Sequence, residues 1–252
     1  MKQITLVTPV YNDSKRLSVF GPKLAKAVAE ANLPIQWIVS DDGSDSNEKR
    51  LVEKKVEELL KIYPQIRFLP LAERTYKGGA VYEAWDQSND SDWLGFVDAD
   101  GAIDAQTIIN LFKEALASSS PSAWIAVRQN SPSTPVDRGI ARKQSFRIFN
   151  SLVRRLLGIR FKDTQCGAKV LAGPVYREIS NRLEERGFAF DLELLVALES
   201  NHYEIREVPI PWREIAGSKV HPLRDAWPML RSVLRIRRRL KAGHYRKDRS
   251  TD

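Results

Sequence analysis

Two closely spaced aspartates, Asp98 and Asp100, are the residues in this sequence best suited to chemistry. They follow the apolar run 93–97, which is typical of a buried strand, and Gly101 ends the pattern. Carboxylates at this spacing in an extended chain point to opposite faces, but a bend at Gly101 would let both reach one hard cation. Such a cation would neutralise a bound diphosphate. The alternative interpretation is an acidic turn after a core strand.

The composition describes a folded chain with unevenly placed charge. Of its 252 residues, 42% are hydrophobic, enough for a sizeable core and against disorder of the whole chain. The net charge is +8, and segment 216–252 alone carries eleven basic and three acidic residues, so the rest of the chain is neutral. A basic tail of this kind favours an anionic partner, either a nucleic acid or an acidic bilayer.

Signals for membrane insertion or export are not apparent in the sequence. No apolar run approaches the roughly 20 residues of a membrane span, and the N-terminus is typical of a first strand. The single cysteine, Cys166, excludes an internal disulfide and fits a cytoplasmic protein. It has no histidine nearby in the sequence, so we interpret it as a packed side chain instead of a nucleophile.

Strands and helices alternate through the first half of the sequence. The predicted strands are 4–10, 35–40, 66–71, 93–97 and 123–127, with helices between them. A break or a late start is expected in the first helix at Gly21-Pro22. The alternation predicts an α/β fold with a mostly parallel, doubly wound sheet and helices on both faces. The second half is less regular, with helices predicted at 140–157 and 191–200 and strands at 168–171 and 203–210.

Polar loops follow the first, second and fourth predicted strands. They contain Tyr11-Asn12-Asp13, Asp41-Asp42-Gly43-Ser44 and Asp98-Ala99-Asp100. Because carboxyl ends of parallel strands meet at one edge of a sheet, we expect the three loops to gather there, around a nucleotide. The sequence has neither a Rossmann Gly-x-Gly-x-x-Gly after the first strand nor a Walker phosphate loop. The alternative is that these residues only form turns and helix caps.

Seven motifs, in order, resemble glycosyltransferase family 2, whose members have the GT-A fold. The first four are Thr8-Pro9-Val10-Tyr11-Asn12, Asp41-Asp42-Gly43-Ser44, Lys77-Gly78-Gly79-Ala80 and Asp98-Ala99-Asp100-Gly101. The last three are Asp163-Thr164-Gln165-Cys166-Gly167-Ala168-Lys169, Phe190-Asp191-Leu192-Glu193-Leu194-Leu195 and Trp212-Arg213-Glu214-Ile215-Ala216-Gly217-Ser218-Lys219. These three are similar to the dolichyl-phosphate glucosyltransferase and polyprenyl-phosphate mannosyltransferase branch. Ala102 stands where the mannosyl enzymes usually have a metal-binding glutamine, so the glucosyl enzymes are the better match.

The resemblance, which covers about 4–240, implies an inverting hexosyltransferase that depends on Mg²⁺ or Mn²⁺. It implies a nucleotide-sugar donor of the UDP-glucose or GDP-mannose type, with glucose favoured, and a polyprenyl or dolichyl phosphate as acceptor. The catalytic GT-A domain would cover 1–220, with a donor half at about 1–128 and an acceptor half at about 129–220. The basic tail, 221–252, would follow it.

The resemblance also implies roles for individual residues. Those expected to bind the nucleotide sugar are Pro9, Tyr11, Asp13, Asp41, Asp42, Lys77, Gly78, Asp98, Ala99 and Asp100, although the family often has Glu at the position of Asp13. Asp98 and Asp100 would hold the metal. The catalytic group would comprise Asp98, Asp100, Asp191, Arg128 and Lys219. Asp191 occupies the position of the base in other members, and here it is either a base or the partner of an arginine.

A phosphate acceptor is already anionic near pH 7, so it needs cationic groups to position it more than it needs a base. The candidates after the donor half are Arg128, Arg138, Arg142, Lys169, Ser218 and Lys219, the last two from the resemblance. For each of these cations, a solvated surface position is the alternative. A sugar hydroxyl, the acceptor of other family 2 enzymes, differs from a polyprenyl phosphate in this respect, because the hydroxyl needs a base to take its proton.

The tail predicts an amphipathic helix from Ala226. Apolar residues recur at helical spacing along one side, and arginines lie opposite. The apolar set is Met229, Val233, Ile236 and Leu240, and the basic set is Arg231, Arg235, Arg238 and Arg239. We expect this helix to lie on an anionic membrane, with the apolar set in the lipid boundary, peripheral on the cytoplasmic face. The alternative is a helix packed on the catalytic domain with its arginines in water.

Two rival functions remain at this point. One is a family 2 enzyme that glycosylates a sugar hydroxyl in polysaccharide or cell-envelope synthesis. The other is a non-catalytic, basic nucleic-acid-binding protein, suggested by the isoelectric point of about 9.6. The neutral body with acidic strand ends is unexplained by the second, so we expect no nucleic acid among the partners.

Overall fold

The fold is built on one seven-stranded sheet. The structure, a computed structural model, describes residues 2–120, 122–129, 151, 153–211 and 222–247. The strands are β1 (Ile4–Val10), β2 (Ile35–Asp41), β3 (Ile66–Pro70), β4 (Trp93–Val97), β5 (Ala123–Gln129), β6 (Ala168–Ala172) and β7 (Ile205–Pro211). Their spatial order is β3-β2-β1-β4-β6-β5-β7. Strand β6 runs antiparallel to both of its neighbours, and the other pairs of adjacent strands are parallel.

Helices cover both faces of the sheet. They are α1 (Ser14–Ala31), α2 (Ser46–Leu60), α3 (Tyr76–Asp86), α4 (Ala105–Ala117), α5 (Gly173–Ile179), α6 (Phe190–Ser200) and α7 (Pro222–Lys241). Helices α1, α2 and α4 contribute to one buried apolar cluster. Helices α3, α5, α6 and α7 contribute to a second cluster on the opposite face. The predicted α/β fold, mostly parallel with helices on both faces, is confirmed.

The side chains of β4 alternate between the two faces of the sheet, and this alternation determines on which face the Asp98 carboxylate lies. Trp93 and Val97 join the cluster on the α1 side, whereas Leu94 and Phe96 join the cluster on the α3 side. Because successive side chains point to opposite faces, Asp98 follows Phe96 toward helices α3 and α6. The backbone N–H of Asp98 donates to the Gly167 carbonyl at 2.9 Å, which extends the β4–β6 pairing past the end of β4.

Helix α1 continues through Gly21-Pro22, where the sequence predicts a break or a late start, so that prediction is wrong. Proline removes one backbone donor from the helix, but burial of one face offsets that loss. Gly21 is buried against Leu59 of α2. A Cβ added to Gly21 would lie only 2.9 Å from a methyl carbon of Leu59. Close packing between α1 and α2 therefore holds the helix together at its proline.

Helix α7 packs its apolar face on the protein. Val233 and Ile236 are fully buried in the α3-side cluster, and Met229 and Leu240 pack against it. The expectation that this apolar set enters lipid is therefore wrong. Helical periodicity identifies an apolar face but does not specify whether protein or bilayer covers it. Within the described residues, no helix has the length and apolar character needed to span a membrane.

Candidate active site

Three polar loops gather at one edge of the sheet, as the sequence predicts, because β1 pairs in parallel with both β2 and β4. Side-chain contacts join the first two loops. The backbone N–H of Asn12 donates to Ser44 Oγ at 2.8 Å, and that of Asp45 donates to Asn12 Oδ1 at 2.9 Å. Asn12 adopts a left-handed conformation, with φ of 45°, which asparagine tolerates better than most residues. The loops at this edge contain most of the donor-half residues that the sequence predicts to bind the nucleotide sugar.

The two aspartates at the end of β2 differ in their hydrogen bonding. Asp41 is fully buried, and its Oδ1 accepts from the backbone N–H of Ser44 at 3.0 Å. Its Oδ2 is buried without a hydrogen-bond partner in the part of the chain that the structure describes. Asp42 Oδ1 instead accepts from the N–H and hydroxyl of Thr75, at 2.6 and 3.1 Å, and burial raises the pKa of Asp42. Asp41 Oδ2 is thus a buried acceptor whose hydrogen-bonding capacity the described residues leave unused.

Arg74, which the sequence does not single out as a site residue, lies beside Tyr11, one of the donor-half candidates. The Arg74 guanidinium is 4.0 Å from the ring centroid of Tyr11 and 4.7 Å from that of Tyr76. Of the other donor-half candidates, Pro9 lies on β1, and Asp13 pairs with Arg16 at 3.3 Å. Arg74 precedes the Lys77 motif by three residues, and no spacing in the sequence indicates its stacking.

Asp98 forms an ion pair with Lys77 and packs closely against Gly167. Lys77 Nζ lies 2.7 Å from Asp98 Oδ1 and 3.0 Å from Oδ2. Burial alone would lower the pKa of Lys77, but Asp98 and Asp191 outweigh burial and the pKa is raised. A Cβ on Gly167 would lie 2.2 Å from Asp98 Oδ2, so only glycine leaves room for this carboxylate. The Lys77 and Gly167 motifs therefore converge on Asp98.

Asp100 lies in a tight turn after β4. Its Oδ1 accepts from the backbone N–H of Ala102 at 2.9 Å, and Gly101 has the predicted turn conformation with φ of 70°. Burial, and then the negative charge of Asp98, raises the pKa of Asp100. Ala99, between the two aspartates, packs into the α1-side cluster. The turn therefore keeps both carboxylates on the site edge while it buries the residue between them.

The donor set at Asp98 and Asp100 fits a hard divalent cation. No cluster of three or more His, Cys, Asp or Glu side chains suited to a metal occurs among the residues described. Mg²⁺ in nucleotide sites is bound by one or two carboxylates together with substrate phosphates and water. Two carboxylates at the edge where the three polar loops meet fit that requirement without a third protein ligand.

Lys169 and Asp191, which come from two of the acceptor-half motifs, form a buried ion pair. Lys169 Nζ lies 2.5 Å from Asp191 Oδ1, and both side chains are buried. The same Nζ donates to the Cys166 carbonyl at 2.9 Å. Asp191 is therefore paired with a cation and is not positioned as a free base. The cation is a lysine, whereas the sequence predicts an arginine as the alternative to a base. Lys169 faces Asp191, so its proposed contact with the acceptor phosphate does not fit this structure.

Arg128 and Asp163 form a second pair at this edge. Arg128 Nε and Nη2 donate to Asp163 Oδ2 and Oδ1 at 2.5 and 2.8 Å, a bidentate geometry. Burial by itself would raise the pKa of Asp163, but the Arg128 contacts lower it. The signal for Asp163 is its place in the Gly167 motif. Four further candidates, Arg138, Arg142, Ser218 and Lys219, lie outside the described residues.

Cys166 is buried at 1% exposure, as predicted, and burial raises the pKa of its thiol to about 12. Only the thiolate reacts rapidly with disulfide reagents, so the native protein is expected to be inert toward Ellman's reagent at pH 8. One thiol should titrate after denaturation in urea. Rapid release of one equivalent of chromophore from folded protein would contradict the burial.

Comparison with known proteins defines the class. The family described as Glycosyl transferase family 2 matches residues 5–178, and the chain belongs to this family. Among solved structures, glucosyl-3-phosphoglycerate synthase from Mycobacterium tuberculosis in complex with phosphoglyceric acid has a TM-score of 0.68 at 15% identity. The comparison covers 98% of this chain and 82% of that one, and it shows the GT-A fold. The same enzyme was crystallised with Mg²⁺ and uridine diphosphate, where the TM-score is 0.67 at 14% identity over 98% of this chain and 81% of that one.

Three of the similar sequences carry the same enzyme name. Dolichyl-phosphate beta-glucosyltransferase of Saccharomyces cerevisiae is 30% identical over 258 residues, which are 96% of this chain and 76% of that enzyme. The enzyme of the same name from Dictyostelium discoideum is 30% identical over 95% of this chain and 75% of its own length. That of Mus musculus is also 30% identical, over 97% and 78%.

Proposed function

We propose that this chain transfers glucose from UDP-glucose to the phosphate of a polyprenyl or dolichyl phosphate. The observation that carries the proposal is the 30% identity to dolichyl-phosphate beta-glucosyltransferases across nearly the whole chain. That similarity extends through the acceptor half, where family 2 enzymes with other acceptors are expected to differ. A non-catalytic nucleic-acid-binding protein leaves this similarity unexplained.

The donor half supplies contacts for a nucleotide. Asp41 Oδ2, buried without a described partner, suits a donor N–H on a nucleobase such as uracil. Tyr11, with Arg74 stacked on it, offers an aromatic face beside that position. Guanine also carries ring N–H donors, so these contacts alone do not distinguish UDP-glucose from a GDP-mannose type of donor. Ala102, at the position of the mannosyl enzymes' glutamine, favours glucose.

Asp98 and Asp100 would hold Mg²⁺ or Mn²⁺ on the donor diphosphate. When bound, the cation would supply Lewis-acid stabilisation of the negative charge on the leaving diphosphate. Lys77, whose ammonium contacts both oxygens of Asp98, keeps a fixed positive charge at the same place. Asp100, turned inward at Gly101, supplies the second carboxylate.

The acceptor half supports a phosphate acceptor over a sugar hydroxyl. A hydroxyl needs a base, but Asp191 and Asp163, two acceptor-half carboxylates in the part of the chain that the structure describes, are bound to Lys169 and Arg128. A phosphate oxygen attacks C1 of glucose directly, the bond from C1 to the diphosphate breaks, and UDP leaves. A single displacement of this kind inverts the anomeric centre, so an α-linked donor gives a β-linked product. The second candidate, hydroxyl transfer, would need one of these pairs to open.

Membrane contact is proposed for the outward face of α7, peripheral on the cytoplasmic face. Trp227 is 61% exposed and Leu234 is 47% exposed. The Arg231 guanidinium lies 5.6 Å from the Trp227 ring, and Arg231, Arg238 and Lys241 are exposed. We call this set the outer stripe: Trp227, Arg231, Leu234, Arg238 and Lys241. Aromatic and basic residues on one exposed face suit an anionic lipid interface, which is the partner proposed here.

Replacing the three cations of the outer stripe by glutamine is expected to weaken binding to vesicles that contain phosphatidylserine. Each cation near such a surface contributes about 1 kcal/mol, so the loss is about 3 kcal/mol, or roughly a hundredfold, at low salt. Vesicle sedimentation measures it. The control removes three exposed cations of the α2 region, Arg50, Lys54 and Lys61, and should bind as wild type. Wild-type protein that ignores these vesicles would contradict the membrane proposal.

A donor screen tests the nucleotide and sugar. The chain is incubated with a short polyprenyl phosphate, with UDP-glucose, GDP-mannose or other nucleotide sugars, and with Mg²⁺, Mn²⁺ or EDTA. We expect turnover with UDP-glucose, only with a divalent cation present. Turnover with GDP-mannose in preference to UDP-glucose would overturn the sugar assignment.

A further inference from the structure

We propose that Glu193 is a positioning residue for the donor site, which it holds through the loop 183–189. The proposal deepens the function above and rests on it for its catalytic consequence. Glu193 lies on α6, two residues after Asp191, and its carboxylate is fully buried. It is separate from the ion pair that Asp191 makes with Lys169.

The two carboxylate oxygens of Glu193 serve different parts of the chain. Oε2 accepts from the backbone N–H groups of Glu184 and Glu185, at 2.7 and 2.6 Å, and so fixes the start of loop 183–189. Oε1 accepts from Arg239 Nη1 at 3.1 Å and from the Tyr245 hydroxyl at 2.7 Å, both in the C-terminal segment. One carboxylate therefore has separable roles, because each oxygen has its own donors.

Loop 183–189 in turn abuts the first turn of α3, which carries Lys77. The Arg186 carbonyl accepts from the backbone N–H of Gly79 at 3.0 Å. An added Cβ on Gly78 would lie 2.8 Å from that same carbonyl and 2.4 Å from Phe190 Cβ, so loop and helix are in close backbone contact. This hydrogen bond, from a residue in the first turn of α3, ties the start of the helix to the loop.

The geometry therefore joins Glu193 to the metal site in three steps. Glu193 Oε2 fixes the loop, the Arg186 carbonyl seats the start of α3, and Lys77 at that start meets Asp98 at 2.7 Å. Displacement of the loop moves the ammonium that neutralises Asp98. A residue that positions another group at a metal or nucleotide site typically contributes tenfold to a hundredfold in affinity or activity.

The test compares Glu193→Gln with Tyr245→Phe. Glutamine has one amide oxygen, so it cannot accept on both sides, and its NH₂ group confronts either the loop N–H groups or Arg239. Tyr245→Phe removes one donor to Oε1 and leaves Oε2 with the loop. The second variant therefore controls for damage to the same buried network without a direct change to the loop.

The primary readout is hydrogen exchange in the full chain without nucleotide. We expect Glu193→Gln to speed exchange at least tenfold in peptides covering 183–189 and 76–82, and Tyr245→Phe to speed it only around 240–247. The second readout is steady-state kinetics, in which Glu193→Gln should raise the KM for UDP-glucose roughly tenfold and Tyr245→Phe should not.

Unchanged exchange at 76–82 in Glu193→Gln, or equal exchange there in both variants, would overturn the positioning role. Failure of the proposed function is a different result, because it is the absence of UDP-glucose turnover in wild-type protein. Hydrogen exchange decides the role of Glu193 in that case as well, since it requires no substrate.

Discussion

Asp98→Asn is expected to lower glucosyl transfer by roughly a hundredfold to a thousandfold, the cost of removing one group that stabilises a developing charge. The amide keeps the size of the side chain, so the space beside Gly167 stays filled. It removes the charge that a divalent cation would meet, and it leaves the Lys77 ammonium facing a neutral amide instead of a carboxylate. The rate with UDP-glucose and a short polyprenyl phosphate at saturating Mg²⁺ measures the effect.

Asp104→Asn is a matched control for this variant. Asp104 caps α4, where its Oδ1 accepts from the Gln106 N–H at 2.8 Å, and asparagine caps helices about equally well. The same change of charge, four residues after Asp100 in the sequence, should therefore leave the rate near that of wild type. Calorimetric titration of Mn²⁺ in the presence of UDP should show weakened binding in Asp98→Asn only. Full activity of Asp98→Asn, or wild-type turnover unchanged in EDTA, is incompatible with the metal assignment.

Lys169→Met is expected to reduce the free energy of unfolding by about 3–5 kcal/mol, because it leaves a buried carboxylate without its cation. Lys169 and Asp191 are exposed by only 2% and 3%, so water cannot take the place of the lost partner. The Cys166 carbonyl also loses the ammonium that donates to it at 2.9 Å. Urea unfolding followed by tryptophan fluorescence measures the change.

A second variant separates the missing partner from the missing charge. Lys169→Met combined with Asp191→Leu removes both charges, and it should be more stable than Lys169→Met alone by a few kcal/mol. The two side chains are in direct contact, so their effects should not add. If the double variant is as unstable as the single one, the pair is not the unit that this geometry indicates.

The sheet and the clustering of the polar loops could be predicted because local signals define both. Apolar runs that end in Asp, Asn or Gly mark strands with functional carboxyl ends, and parallel pairing then brings those ends together. The turn at Gly101 follows from the same signals, since Asp100 and glycine favour that conformation. The antiparallel insertion of β6 and helix α5 have no comparable signal, because they depend on contacts distant in the sequence.

Pairing of charges was the part that the sequence could not specify. Lys169 and Asp191 are 22 residues apart, and either could equally face a ligand until the sheet and α6 bring them together. Helix α7 illustrates the same point for apolar groups, because its periodicity identifies Val233 and Ile236 as one face but not the surface that buries them. Its outward side, exposed among the residues that the structure describes, is the face of α7 that we propose for contact with lipid.

Analysis of the product tests the central claim most directly. The full chain is incubated with UDP-glucose, farnesyl phosphate and Mg²⁺, and the purified product is examined by mass spectrometry and proton NMR. We predict one glucosyl unit joined through phosphate to the lipid, with a β-anomeric proton and one UDP released for each product. An α-linked product would contradict the single displacement. Transfer to a sugar hydroxyl, with none to farnesyl phosphate, would contradict the proposed acceptor.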